Sequence, residues 1–108
     1  MRHTEDEFDR LFHSLADPTR RAILGLLAGA NELSVTALAQ AIGRPMADVS
    51  HHLGVLRDAG LVTWRKGGRE RLYRFAEGVT RARSGAGWSL RRSPYTVTMD
   101  ARAEGGAT

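Results

Sequence analysis

Residues 46–60 read Met-Ala-Asp-Val-Ser-His-His-Leu-Gly-Val-Leu-Arg-Asp-Ala-Gly, and their pattern predicts a helix with two unlike faces. Its apolar residues recur at spacings of three and four, which places them on one face: Val49, Leu53, Leu56 and Ala59. The opposite face carries small or polar side chains: Ala47, Ser50, His51 and Gly54. Such a face suits the major groove of DNA, which is about 12 Å wide and admits one helix. A core helix with one solvated side explains these residues equally well, so the flanking sequence has to decide.

The sequence before residue 46 predicts three further helices. The first covers 5–16, with an apolar face formed by Phe8, Leu11, Phe12 and Leu15. Asp17 and Pro18 are typical of a helix start, so a second helix is predicted over 18–28 and ends before Gly29. Its expected inward residues are Ala22, Ile23, Leu26 and Leu27, and its expected exposed residues are Arg20 and Arg21.

A short third helix completes a helix-turn-helix. Ser34 is a good N-cap for residues 35–42, and Gly43-Arg44-Pro45 provides a short break before the helix at 46. Two short helices joined by a short turn with glycine are typical of this motif, in which the second helix contacts DNA.

A β-hairpin is predicted directly after the motif. Residues 61–66 and 69–75 are β-prone and flank Gly67-Gly68, which is a signal for a two-residue turn. Basic residues surround the predicted tip: Arg65, Lys66, Arg69 and Arg71. A basic hairpin in this position is typical of a wing that contacts phosphates or the minor groove.

Residues 76–108 form a C-terminal extension to a DNA-binding domain at 1–75. Glycines at 78, 85, 87, 105 and 106 argue against a long helix, and the residue pattern favours short strands at 87–90 and 95–99. The predicted fold is therefore mainly α with a small hairpin wing, ordered α-α-α-α-β-β, followed by an irregular tail or short strands with a frayed end.

Composition narrows the class of protein. The 108 residues contain no cysteine and carry a net charge of +4. The sequence gives −2 for residues 1–43, +4 for 44–75 and +2 for 76–108. The middle third is thus where an anionic polymer would bind.

No apolar run approaches a membrane span and no secretory signal is evident, so a cytoplasmic protein is expected. We find no nucleophile–base set, catalytic carboxylate pair or phosphate-binding glycine loop, so an enzyme is not expected.

These residues together resemble the ArsR/SmtB-type winged helix-turn-helix repressors of bacteria and archaea. The resemblance covers roughly residues 10 to 75, and the combination of matching pieces is specific. These pieces are Leu15-Ala-Asp-Pro-Thr-Arg-Arg-Ala-Ile-Leu24, then Val49-Ser-His-His-Leu53 with Val55-Leu56-Arg57 and Ala59-Gly-Leu-Val62, and then Gly67-Gly-Arg-Glu-Arg-Leu-Tyr-Arg-Phe75. It implies a homodimeric repressor that binds double-stranded DNA at a palindromic operator and responds to an inducer.

The resemblance also implies roles for individual residues. Base contacts would fall to Met46, Ala47, Ser50 and His51. Phosphate contacts would fall to Arg44, Lys66, Arg69 and Arg71. The first helix, through Phe8, Leu11 and Phe12, would contribute to the dimer interface.

Three departures from the family's pattern concern the signal and the dimer. Arsenic-sensing members carry two cysteines where this chain has Ser34 and Thr36, and hydroxyls cannot hold a soft metalloid as thiolates do. Zinc-sensing members use ligands on a final helix, whereas no histidine follows His52 here. No metal site or cofactor is therefore predicted, and the inducer stays unidentified; a non-standard site using His3 or His13 across a dimer is the remaining alternative. Without a final helix, the first helix would carry more of the dimer contact, helped by strands around Trp88 and Tyr95.

An alternative function is a protein–protein interaction module on the same scaffold. The absent sensor sites and the unusual tail from Ala76 onward motivate it. Partner capture that depends on residues 76–108, without DNA affinity, would distinguish it from a repressor.

Overall fold

Side-chain caps set the boundaries of the central helices. The computed structural model describes residues 2–85 and 87–100. Within these ranges, residues 2–5 and 84 are described by their backbone alone. α1 spans Arg2–Leu15, α2 Pro18–Ala28, α3 Val35–Ile42 and α4 Met46–Asp58. Asp17 accepts a hydrogen bond from the Arg20 amide at 3.0 Å and Ser34 accepts one from the Ala37 amide at 3.0 Å, so the predicted starts of α2 and α3 are confirmed. α1 begins before the predicted residue 5, and α4 begins at the predicted residue 46.

The wing is a three-stranded antiparallel sheet. β1 (Leu33–Ser34) and β2 (Val62–Gly67) flank β3 (Glu70–Phe75). Gly67 pairs with Glu70, so the turn residues are Gly68 and Arg69 and the predicted Gly67-Gly68 turn is wrong by one residue. Of these two turn residues, Gly68 alone has a positive φ, at 64°. A glycine at the first turn position adopts this conformation without strain.

A second three-stranded antiparallel sheet follows the wing. It consists of β4 (Thr80–Ser84), β5 (Gly87–Arg92) and β6 (Tyr95–Met99) in the order β4-β5-β6. Strands near 87–90 and 95–99 were predicted and are confirmed, whereas β4 was not predicted. Val79 and Leu90 are buried in the same cluster as the helix residues. The division of the chain at 75/76 into domain and extension stays a prediction.

One face of the second sheet lies against α2. Arg83 pairs with Trp88, and Trp88 pairs with Met99, so these three side chains share a face. Arg83 donates to the Gly25 carbonyl at 3.1 Å, and Arg81 reaches the Ala30 carbonyl at 3.4 Å. These guanidinium groups bind carbonyls in and just beyond the C-terminal half of α2, where cations are favourable.

The buried face of α2 differs from the predicted one. Its buried residues are Thr19, Arg20, Ile23, Leu24 and Leu27. Ala22 is exposed and Leu26 is only partly buried, and both line a cleft between α2 and the second sheet. The expectation that Arg20 is exposed is therefore wrong: its relative exposure is 8%. Arg21, also expected to be exposed, is half-buried.

No helix among residues 2–85 and 87–100 is long and apolar enough to cross a membrane.

The contact between Gly25 and Trp88 generates a stability prediction. A Cβ on Gly25 would lie 2.9 Å from the Trp88 Nε1 atom, whereas a Cβ on Gly54 of α4 would meet nothing within 4 Å. Alanine is favoured over glycine inside a helix by about 1 kcal/mol. We expect Gly54→Ala to raise the free energy of unfolding by about 0.5–1 kcal/mol, and Gly25→Ala to lower it by roughly 1–3 kcal/mol through overpacking. Urea denaturation measures both.

The control for this prediction is the Trp88→Ala background. There the obstructing ring is gone, so Gly25→Ala should become neutral or stabilising. A Gly25→Ala variant that is as stabilised as Gly54→Ala in the wild-type background would show that the indole does not pack against α2 in this way.

Candidate nucleic-acid interface

The two faces of α4 separate as predicted. Val49, Leu53 and Leu56 are fully buried. The residues assigned to base contacts are all exposed and share the solvent side of the helix: Met46, Ala47, Ser50 and His51. Met46 is 50% exposed, although its sulfur lies 3.9 Å from the Thr36 hydroxyl on α3. The chain thus exposes small and polar side chains and the larger Met46 on this side of α4, and the role of this surface stays a prediction.

The start of α4 has no side-chain cap. Its N-cap is Pro45, which makes no capping hydrogen bond from its side chain. Arg44 precedes it and lies 3.9 Å from Asp48, with both side chains about half exposed at 52% and 51%. An exposed pair at this distance is worth little, so the Arg44 guanidinium can exchange this partner for another anion.

The basic residues of the wing are exposed and close to each other. Lys66 and Arg71 are directly opposite on β2 and β3, and their side chains lie on the same face of the hairpin. Arg71 also stacks over the Trp64 ring, with its guanidinium carbon 4.1 Å from the ring centroid. Arg69 occupies the exposed turn. Like charges directly across a sheet are unfavourable, so this arrangement suits a surface that meets an anion.

Arg65 has a structural role at the base of the wing. Its guanidinium forms two hydrogen bonds with the Glu32 carboxylate, one of them at 3.0 Å from Nε. This bond lowers the pKa of Glu32, and the pair joins β2 to the segment before β1. Although the sequence grouped Arg65 with the basic tip, this contact holds it away from the cluster of Lys66, Arg69 and Arg71.

A buried arginine connects three helices behind α4. Arg20 of α2 donates from Nε to the Ser14 carbonyl at 2.7 Å and from Nη2 to the His13 carbonyl at 3.1 Å, both at the end of α1. Its Nη1 atom lies 3.1 Å from Nδ1 of His52 on α4. The guanidinium therefore binds carbonyls of the last turn of α1 and fixes α4 against them.

His52 behaves as a neutral acceptor in this network. Burial lowers its pKa, and the nearby Arg20 charge adds to that effect, while the Asp17 carboxylate 3.8 Å away opposes it. The Asp17 pKa is lowered in turn: burial acts to raise it, but the hydrogen bond from the Arg20 amide, the Arg20 charge and the charge of His52 when it is protonated outweigh burial. His51 contacts the His52 ring edge-on at 5.5 Å and faces solvent. The structure thus places His51 at the surface and the half-buried His52 in the network behind α4.

The residues expected at a dimer interface are not equivalent. Phe8 and Phe12 are 38% and 44% exposed and form an aromatic cluster with Tyr95 of β6, with ring centroids 4.4–6.0 Å apart. Leu11 is 0% exposed in the single chain. Its placement at a dimer interface is therefore corrected: it belongs to the core, and it has no free surface to give a partner.

Among the described residues, no group of three or more His, Cys, Asp or Glu side chains could hold a metal ion. His13 is exposed and lies on α1, and the side chain of His3 lies outside the described residues.

Comparison with known proteins identifies the family. The profile of a helix-turn-helix domain family matches residues 15–64. An uncharacterised HTH-type transcriptional regulator of Methanocaldococcus jannaschii is 38% identical over 63 residues, which cover 58% of this chain and 71% of that protein. The solution structure of a homodimeric winged helix-turn-helix DNA-binding domain from Mycobacterium bovis, a possible ArsR-family regulator, is 36% identical, covers 68% of both chains and has a TM-score of 0.65. The chain belongs to the ArsR/SmtB family of winged helix-turn-helix transcriptional regulators.

Other relatives have names that specify a function. The arsenical resistance operon repressor of Escherichia coli is 40% identical over 67 residues, which cover 62% of this chain and 57% of the repressor. This chain contains no cysteine.

The His52 network predicts a pH dependence of stability. The lowered pKa of His52 means that the unfolded chain binds more protons than the folded chain below about pH 6.5. The contribution of this group to stability is therefore complete above that pH and is lost as the pH falls toward the folded-state pKa. We expect His52→Asn, whose amide oxygen replaces Nδ1 as acceptor without titrating, to flatten this part of the profile.

Urea denaturation between pH 7.5 and 5 measures this effect. His51→Asn is the matched control, since His51 is exposed and lies beside His52, and it should keep most of the wild-type slope. Equal slopes for wild type and His52→Asn would contradict the assignment of His52 as the buried neutral acceptor.

Proposed function

We propose that the chain is a homodimeric transcriptional repressor that binds a palindromic DNA operator through α4 and the wing. Met46, Ala47, Ser50 and His51 contact base edges in the major groove. Arg44, Lys66, Arg69 and Arg71 contact phosphates. It acts in the cytoplasm on DNA, it has no catalytic activity, and its inducer is not a thiol-bound metalloid.

The wing carries this proposal most directly. Lys66 and Arg71 lie directly opposite each other, and Arg69 is exposed in the turn beside them. Their mutual repulsion has no benefit for folding, whereas a phosphate between them would relieve it. The hairpin begins at Val62, and three residues separate it from the end of α4 at Asp58, so the exposed face of α4 and the wing belong to consecutive elements. A basic wing adds affinity and register, and the side chains of α4 add sequence discrimination.

The proposed dimer uses the aromatic surface of α1 and β6. Phe8 and Phe12 expose large apolar rings, and Tyr95 packs beside both. Large aromatic side chains are enriched at the centre of stable interfaces. The M. bovis domain is described as homodimeric, which supports a dimer here.

Duplex titration with two classes of variant tests the function. We expect the wild type to prefer its own promoter region over random duplex, with an affinity that falls steeply as salt increases. Replacing Ser50 and His51 by Ala should remove most of this preference, since a good base contact discriminates by roughly 1–3 kcal/mol. Arg69→Ala should weaken binding to all duplexes alike, and it should reduce the slope of log affinity against log salt by about one per subunit, or about two for the dimer.

Arg10→Ala on α1 is the control, because Arg10 is an exposed arginine outside the proposed surface and should leave both quantities unchanged. A wild-type protein that binds promoter and random duplex equally would refute sequence-specific repression. A protein that binds no duplex would favour the protein–protein interaction module instead.

A further inference from the structure

A cleft of about 460 Å³ lies between the helices and the second sheet, and none of its described lining residues belongs to α4. One wall is α2, the second is the end of α3, and the third is the inner face of the second sheet. Apolar side chains form most of it, among them Leu26, Ile42, Trp88 and Met99. Its volume is within the usual range for a small-molecule site.

The polar groups of the cleft have one sign of charge. Arg21 of α2 and Arg83 of β4 both line it, and none of the described residues that line it is acidic. Arg83 uses Nη1 for the Gly25 carbonyl at 3.1 Å, and a guanidinium has five N–H donors. A Cβ on Gly25 would lie 2.9 Å from the Trp88 Nε1 atom, so the indole packs closely on α2 here and provides an aromatic wall.

We propose that this cleft binds a planar organic anion, with its ring system beside Trp88 and its carboxylate or equivalent group on Arg83. The apolar walls favour an aromatic body, and the guanidinium favours a group with two oxygens that can accept paired hydrogen bonds. A second copy of this chain is a poor occupant, because a symmetric contact would bring the arginines of both cleft rims together.

The position of the cleft connects such a ligand to DNA binding. Ala41 and Ile42 line it and are the last residues before Gly43, whose positive φ of 76° turns the chain toward α4. A ligand in the cleft therefore contacts the second sheet, α2 and the end of the helix that positions α4. This regulatory consequence rests on the proposed function, whereas binding of the anion does not.

Calorimetric titration with 2-naphthoate tests the site, with 2-naphthamide as the uncharged probe of matched shape. We expect one saturable 2-naphthoate site per subunit and at least tenfold weaker binding of the amide. Arg83→Gln should weaken 2-naphthoate binding at least tenfold. Arg91→Gln, on the opposite face of the same sheet, should leave it unchanged. Ala22→Phe, which fills the cleft from an exposed position and keeps Arg83, should also abolish binding.

Three results would overturn the site: no saturable binding, equal affinity for the acid and the amide, or equally weakened binding in Arg83→Gln and Arg91→Gln. The regulatory consequence is tested by repeating the duplex titration in saturating 2-naphthoate. We expect the affinity for DNA to change at least threefold in the wild type and not in Arg83→Gln. Unchanged affinity would refute the regulation alone, and absence of duplex binding without 2-naphthoate would refute the proposed function instead.

Discussion

The buried guanidinium of Arg20 is the interaction on which the placement of α4 depends. It binds two carbonyls at the end of α1 and Nδ1 of His52 on α4, while its own helix supplies the core residues Ile23 and Leu24. A buried charge is tolerated only when its hydrogen-bonding groups are satisfied. Because the fixed geometry of the guanidinium allows few arrangements of its acceptors, Arg20 sets the position of α4 relative to α1 and α2 more narrowly than apolar packing alone would. The exposed side of α4 is therefore oriented by a contact on its buried side.

The wing applies a different constraint. Lys66 and Arg71 lie opposite each other at a cost in stability, while Arg65 one position away is neutralised by Glu32. One cation thus holds the hairpin base, and the neighbouring cations are left at the surface. Local rules that are broken at an exposed, charged position are typical of functional sites. The second sheet stabilises the opposite end of α2 through Arg81, Arg83 and Trp88, so that helix joins the DNA-binding motif to the C-terminal strands.

Local signals predicted the helices well and the long-range contacts poorly. Asp17 and Ser34 are caps whose partners lie three residues away, so the sequence alone places α2 and α3. The buried and exposed sides of α4 also follow from its own spacing.

Arg20 was predicted to be exposed because helical periodicity treats arginine as polar, and its partner His52 is 32 residues away. The assignment of Leu11 to a dimer interface was wrong because the spacing of apolar residues in α1 does not show which of them face the core. Only the tertiary fold shows that Leu11 does. The hairpin turn was misplaced by one residue because either glycine of a pair can take the positive φ. Gly25 and Trp88 lie in different elements, so no local signal predicts their contact or the cleft beside it.

Selection of bound duplexes from a random pool tests the central claim that α4 presents a sequence-reading surface in a symmetric dimer. The account predicts enrichment of an inverted repeat whose half-site centres are separated by about one helical turn of roughly 10–10.5 base pairs, or a multiple of it. Recovery of an unenriched pool, or of single half-sites without a second copy at a fixed spacing, would contradict it.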